Sequence, residues 1–354
     1  MRIAIDVGYG LLKAINEHGQ KIHIPSVVAA VDSAGPDVFG HVPDIYRIDG
    51  RFYAVGQEAL VSRKATLAYE RDKWNHEATK ILLAVAVYEL TRDHYTPAVH
   101  LITGLPLDHY FAGVGQKGGD ELKKILELYQ SEVDHVYRPH PAGPIMIRFG
   151  QVTTFPQGAA SVYSTYLGPD GSIRRPVENG TVMVVNVGYR TVDVVTFRAN
   201  GSSFRIIRDL SFTIDDAGVV FIRHAVSDVF FRFTGRRLST LEAERVLESG
   251  GRQFYHGREL DLTADIRRAK RELSGRIRDA LVARVGDELE FVRAVILAGG
   301  GAEDLREELL TIHPEAEMHP DGPFADATGY LVVGWLKEKE TLQNQVYTPQ
   351  SQMK

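Results

Sequence analysis

Near the start of the chain, Asp6, Gly8, Gly10 and Lys13 place a carboxylate, two positions without a Cβ and an ammonium in one short D-x-G-x-G-x-x-K segment. A second segment, N-V-G-Y-R-T-V-D from Asn186 to Asp193, repeats its surroundings: a β-rich apolar run, V-G-Y, a second alternating run and a Gly-containing turn. Glycine loops let backbone N–H groups close on an anion, and a lysine adds a point charge. The chemistry that suits this set is a polyphosphate held by two loops, one from each half of the chain. A third cluster, Gly299-Gly300-Gly301 in I-L-A-G-G-G-A-E-D, separates an apolar run from an expected helix, where backbone can approach a ligand closely. Each loop alone also reads as an ordinary tight turn, and the third cluster as a close helix–strand contact. Two matching loops in halves of similar size favour the ligand.

The elements that must position these residues follow from periodicity. Leu11 to Asn16 alternates and carries no helical stripe, and Glu17 to Gln20 reads as a turn into a third strand, Lys21 to Ala29. The first loop is therefore a hairpin, whereas a Walker or dinucleotide loop leads from strand to helix. Asp32 to Gly50 reads as loop, Arg51 to Val55 and Val99 to Thr103 as strands, and Lys73 to Thr91 and Gly119 to Ser131 as helices. Ile145 to Val152 is an expected strand and Gly158 to Tyr166 a closely packed helix. In the second half, helices are expected over Ala217 to Thr234, Arg237 to Ser249, Asp261 to Val285, from near Glu303, and from Phe324, with a polar tail from Lys337.

Bulk properties narrow the class. A chain of 354 residues calls for two domains, and 44% hydrophobic with 25% charged residues is ordinary for a globular protein. A net charge of -5 gives no basic footprint, so direct nucleic-acid binding is not expected. Without cysteine, thiol catalysis, disulfides and cysteine-bound zinc are excluded. His76, His94, His100, His109, His135 and His140 are scattered and form no H-E-x-x-H, so they read as surface or satisfied side chains. The opening residues are strand formers and no apolar run would cross a bilayer; a cytoplasmic protein without a membrane segment is expected.

Taken in order, five segments resemble the actin-like ATPase superfamily and, within it, the bacterial and archaeal plasmid-segregation group around ParM. D-V-G-Y-G-L-L-K (Asp6 to Lys13) is similar to the first phosphate loop and N-V-G-Y-R-T-V-D to the second. F-P-Q-G-A-A (Phe155 to Ala160) resembles the first connecting segment, L-A-G-G-G-A-E (Leu297 to Glu303) the adenosine motif, and F-A-D-A-T-G-Y (Phe324 to Tyr330) the second connecting segment. The resemblance covers nearly the whole chain. It implies an α/β, actin-like, duplicated ribonuclease H-like fold of two domains around a nucleotide cleft. Domain I would be 1–157 plus 330–354 with an insertion about 31–96, and domain II 158–329 with an insertion about 212–290.

The resemblance also implies ATP/ADP and Mg2+ as cofactors, head-to-tail self-assembly into filaments and a DNA-binding adaptor as partner. Gly8, Tyr9, Gly10, Leu11 and Lys13 would hold phosphate from one side, and Gly188, Tyr189, Arg190, Thr191 and Asp193 from the other. Gly299, Gly300, Gly301 and Glu303, with Lys270 and Arg271 on the adenine side, would hold the nucleoside. Asp6 and Asn186 would meet the metal through its water, and Gln157 would orient the attacking water. One departure stands out: the family has Asp where this chain has Asn186, which implies slow hydrolysis.

Alternatives come from other classes. A small-molecule kinase of the same superfamily needs an acceptor-side carboxylate motif that is not evident here. A chaperone ATPase needs a peptide-binding region after the ATPase domain, and only about two dozen residues follow Tyr330. A nucleotide-binding cytoskeletal filament with little hydrolysis stays open because of Asn186.

Overall fold

The computed structural model describes residues 1–32, 42–62, 64–67, 76–94, 98–111, 117–176, 179–201 and 203–346. Contacts divide the chain into two compact units, one formed by Met1–Val177 with the segment from Phe324 onward, the other by Glu178–Pro323. The sequence boundaries, 157/158 and 329/330, cut the first unit shorter. They separate two helices, Ala160–Tyr166 and Ala325–Val346, that pack directly on each other.

The strands of the first unit are β1 (Arg2–Val7), β2 (Leu11–Asn16), β3 (Lys21–Pro25), β4 (Val27–Val31), β5 (Ile45–Ile48), β6 (Arg51–Val55), β7 (Thr66–Leu67), β8 (Val99–Leu105), β9 (Gln130–His135) and β10 (Ile145–Pro156). They form one sheet in the order β3-β2-β1-β8-β10-β9-β5-β6-β4-β7. β1 pairs antiparallel with β2 and parallel with β8, and β10 runs parallel to β8. Helices α1 (Gln57–Leu60), α2 (Glu77–Thr91), α3 (Leu107–Phe111), α4 (Lys117–Glu127) and α5 (Ala160–Tyr166) accompany the sheet. The consecutive apolar residues Ile3, Ala4 and Ile5 of β1 reflect burial on both faces. Ile3, Ile5 and Val7 join a core with Leu82, Val85 and Leu101, whereas Ala4 joins Ile102, Ala160 and Tyr330 on the other side. The period of two puts Asp6 on the Ala4 face.

The second unit contains β11 (Gly180–Val187), β12 (Val192–Asn200), β13 (Ser203–Ile206), β14 (Phe212–Ile214), β15 (Arg252–Tyr255), β16 (Arg258–Asp261), β17 (Val292–Ala298) and β18 (Ala316–Met318). Its main sheet has the order β13-β12-β11-β17-β18, with β14 paired to β12. The pattern of β3-β2-β1-β8-β10 recurs: an antiparallel triplet, then two parallel strands. Helices α6 (Val220–Thr234), α7 (Thr240–Glu248), α8 (Thr263–Val285), α9 (Gly300–Asp304) and α10 (Arg306–Leu309) belong to this unit, and α11 (Ala325–Val346) returns to the first. In α8, Ile266, Ala269, Leu273, Ile277, Leu281 and Val285 are buried at helical spacing, while the basic residues between them mostly face solvent. α7 opens with a capping box formed by Ser239 and Glu242.

Several elements differ from the sequence reading. The third strand breaks between Pro25 and Val27, because Ser26 turns its N–H to the Gly10 carbonyl and its hydroxyl to that of Gly8. Asp32 to Gly50 is not all loop, since Ile45–Ile48 is a strand held between β6 and β9; residues 33–41 lie outside the described residues, as do 73–75 of the expected helix ahead of α2. The expected helix to Ser131 stops at Glu127, and Gln130 already belongs to β9, whose cross-strand partners outweigh helix propensity. The polar stretch from Lys337 continues α11 to Val346, consistent with its run of good helix formers. No helix of the described residues is long and apolar enough to cross a membrane.

Candidate functional site

Register places the chemistry. In the first unit Asp6 and Lys13 are cross-strand partners, followed by Val7 and Leu12 and then the four-residue tip Gly8-Tyr9-Gly10-Leu11. In the second unit Asn186 and Asp193 are partners, followed by Val187 and Val192 and the tip Gly188-Tyr189-Arg190-Thr191. The hairpins are equivalent position by position, so Asn186 corresponds to Asp6 and Asp193 to Lys13.

The first pair is a buried ion pair, with Lys13 Nζ donating to Asp6 Oδ2 at 2.9 Å. Ser26 fixes the tip from behind, its Oγ donating to the Gly8 carbonyl at 2.7 Å and its N–H to that of Gly10 at 3.0 Å. Sequence reasoning missed Ser26; the break in alternation at Pro25-Ser26 was the available signal.

Gln157 follows β10, and its N–H donates to the Leu105 carbonyl at 2.7 Å. Its side-chain stem packs over Gly104 beside the Tyr330 hydroxyl. Gly104 is the next residue along β8 after Thr103, the partner of Ile5, so Gln157 stands at the Asp6 end of β1. Asp326, in the first turn of α11, accepts from Gly158 N–H at 3.2 Å and from Ser161 Oγ at 2.7 Å. Burial, and then the neighbouring Asp6 charge, push the Asp326 carboxyl up to about 6, against the opposing pull of Ser161, Gly158 and Lys13. Asp326 was not among the sequence candidates, although it lies in F-A-D-A-T-G-Y.

This carboxyl gives a stability prediction. Folded protein holds the Asp326 proton up to about pH 6, whereas an unfolded aspartate releases it near pH ~4. The native state binds more protons across that window, so this contribution to stability is lost as pH rises through it. Asp326→Asn is expected to remove that dependence and to be the more stable protein at pH 7, by about 1–3 kcal/mol. Urea unfolding of both proteins at several pH values checks this; equal pH slopes would rule it out.

The second hairpin is seated on the start of α6. Val219 N–H donates to the Gly188 carbonyl at 3.2 Å, Val220 N–H to that of Tyr189 at 2.8 Å and Gly218 N–H to that of Arg190 at 2.9 Å. Gly188 N–H donates to the Thr191 carbonyl at 2.9 Å, so this donor closes the hairpin rather than facing a ligand. Thr213 Oγ1 donates to Asp193 Oδ1 at 2.6 Å. Asn186 is buried, and its Oδ1 lies against Gly299, whose φ of 86° and lack of Cβ both match the position; a side chain there would meet Asn186 Oδ1 and the Val187 carbonyl. The second and third glycine clusters thus meet within the second unit. The helix after the third begins at Gly300, not at Glu303, which pairs at the surface with Arg306.

A cavity of ≈ 340 Å³ is bounded by α6, α7, α8 and α9, with Arg223, Glu244, Thr263, Lys270 and Asp304 in its lining. Lys270 is half-buried there, whereas Arg271, the next residue, is exposed. Arg223 organises the wall. Its guanidinium donates to both Glu244 carboxylate oxygens (2.7 and 2.8 Å), reaches Asp304 at 3.4 Å, and lies 5.8 Å from the Tyr189 ring centroid. The motifs gave no signal for Arg223 or Glu244, because their partners come from separate helices. Among the described residues no group of three His, Asp or Glu side chains is placed to hold a metal.

Residues 4–159 match the family described as actin-like proteins, N-terminal domain, and residues 184–311 match the archaeal actin homologue MreB-like family, C-terminal. Each half of the chain thus matches an actin-like family, and the chain has the actin-like fold. It is similar to the protomer of a 15-stranded ParM filament from Clostridium botulinum, at 26% identity over 94% of this chain and 98% of that one, with a TM-score of 0.80. A non-polymerisable quadruple mutant of pCBH ParM matches at 26% identity over the same shares, with a TM-score of 0.78. The ADP complex of Ta0583, an archaeal actin homologue, shares the fold at 21% identity over 93% and 97% of the two chains, with a TM-score of 0.72. A comparison with curated proteins returns no match.

Proposed function

We propose that this chain is a cytoplasmic filament protein that binds ATP with magnesium, hydrolyses it slowly and segregates plasmid DNA through a DNA-binding adaptor. The observation that carries the reading is the duplicated hairpin, with a buried Asp6–Lys13 pair in one copy and Asn186 opposite Asp193 in the other. Tips held from behind by Ser26 and by the start of α6 are the kind of preset backbone that an anion selects. The ParM relatives lend support as filament proteins, and Ta0583 as one seen with ADP.

Backbone N–H groups of Gly8 to Leu11 and of Tyr189 to Thr191 bind phosphate oxygens, and Lys13 adds its charge. Asp6 and Asn186 would hold magnesium through its water, and the metal would supply charge compensation for the phosphates. Asp6 would accept from metal-bound water, a task for which its buried carboxylate is suited. Gln157 orients the attacking water from the end of β10. Arg223, Glu244 and Lys270 shape a cavity of a size suited to a base and sugar. Asn186 supplies shape without charge, which favours slow hydrolysis and long-lived polymer.

Assembly is the direct test. Purified protein at micromolar concentration is expected to pellet and scatter light with ATP and magnesium and to remain dispersed without them. Protein that stays monomeric with ATP and with GTP defeats the filament reading.

A further inference from the structure

We propose that Asp326 is the positioning residue for Gln157, an inference that deepens the ATP-hydrolysis reading and rests on it. Gln157 opens the turn between β10 and α5, and the next residue, Gly158, has a φ of 74°. Such a turn has few fixed points of its own: the Gln157 N–H is tied to Leu105, and the helix begins only at Ala160. Asp326 supplies the missing ones. One carboxylate oxygen accepts from Gly158 N–H at 3.2 Å and the other from Ser161 Oγ at 2.7 Å, so the carboxylate brackets the segment that leaves Gln157.

α11 acts on Gln157 at a second point. Tyr330, one helical turn beyond Asp326, places its hydroxyl next to the Gln157 stem over Gly104. The helix itself cannot drift, because Ser164 Oγ donates to the Ala325 carbonyl at 3.0 Å and Gly329 lies directly against Ala160. A water-orienting amide works only when its rotamer and backbone are both held. α11 provides both, the backbone through Asp326 and the side chain through Tyr330.

An asparagine at 326 keeps this geometry, since its carbonyl oxygen can accept from Gly158 N–H while its NH2 donates to Ser161 Oγ. The positioning role therefore predicts a specific pattern in single-turnover phosphate release, measured alongside affinity for a fluorescent ATP analogue. Asp326→Ala slows release about fivefold or more with affinity within about twofold, and Asp326→Asn stays within about twofold of the parent on both counts. In a Gln157→Ala background, Asp326→Ala has no further effect, because the group it positions is gone. Multiplying effects of the two substitutions overturn the inference, as does an Asp326→Asn protein as slow as the alanine variant, which would assign the role to charge. If the alanine variant fails to fold, Ser161→Ala removes one carboxylate contact instead. Slowing that vanishes in the Gln157→Ala background supports the proposal, and an unchanged rate overturns it. A parent protein that binds the analogue without releasing phosphate, or does not bind it, overturns the hydrolysis reading itself before any variant is compared.

Discussion

Replacing Asn186 with aspartate is expected to raise ATP turnover at least about tenfold at saturating ATP and magnesium, since one well-placed electrostatic group is commonly worth 10²–10³ in rate. The substitution changes charge at constant shape, in a side chain packed against Gly299 at the end of β11. It also sets up a conflict visible in the register: position 186 is opposite Asp193, and like charges directly across a strand pair repel. The apo variant should therefore melt at a lower temperature than the parent, and magnesium with ATP should restore more stability to it than to the parent. Phosphate release and thermal unfolding of the two proteins decide both points. Equal turnover would remove position 186 from the metal's surroundings and end the slow-hydrolysis reading.

Lys13→Ala is expected to weaken nucleotide affinity by about 1.5–3 kcal/mol, roughly 10- to 150-fold. The structure adds a second effect, because Lys13 is the partner of a buried carboxylate. Leaving Asp6 alone should cost about 3–5 kcal/mol of stability. The two effects separate in the double variant Asp6→Asn with Lys13→Ala, in which the stranded charge is gone. That protein should regain most of the lost stability in urea unfolding while still binding a fluorescent ATP analogue poorly. Unchanged affinity in the stable double variant would reduce Lys13 to a structural counter-ion.

The glycine hairpins were legible in the sequence because they are local: V-G-Y and alternating residues on either side specify two strands and a tip without reference to anything distant. Two such hairpins in one chain pointed to a duplicated two-domain protein, and the actin-like fold class followed from the resemblance of five segments in order. What stayed hidden depends on contacts between remote segments. Ser26 gains its role from reaching the Gly8 and Gly10 carbonyls, and Asp326 from reaching Gly158 and Ser161. Arg223 gathers Glu244 and Asp304 from two other helices. The failures at element ends have the same origin, since Gln130 and Ile45 become strand residues only through their sheet neighbours. Gly188 shows the converse limit: its glycine was evident, but its N–H is spent on Thr191.

The close seat of Gly329 on Ala160 also limits how this lineage can diverge. Every single-base change of a glycine codon that alters the residue brings in a Cβ, and one at 329 would overlap the Ala160 carbonyl. No neighbouring allele leaves α5 and α11 where they are, so drift at this site is blocked at its first step while the solvent face of α8 is free to change. In distant descendants, a glycine facing that carbonyl across the helix pair should therefore outlast the phosphate-loop residues as a marker of descent, even where nucleotide chemistry has been lost.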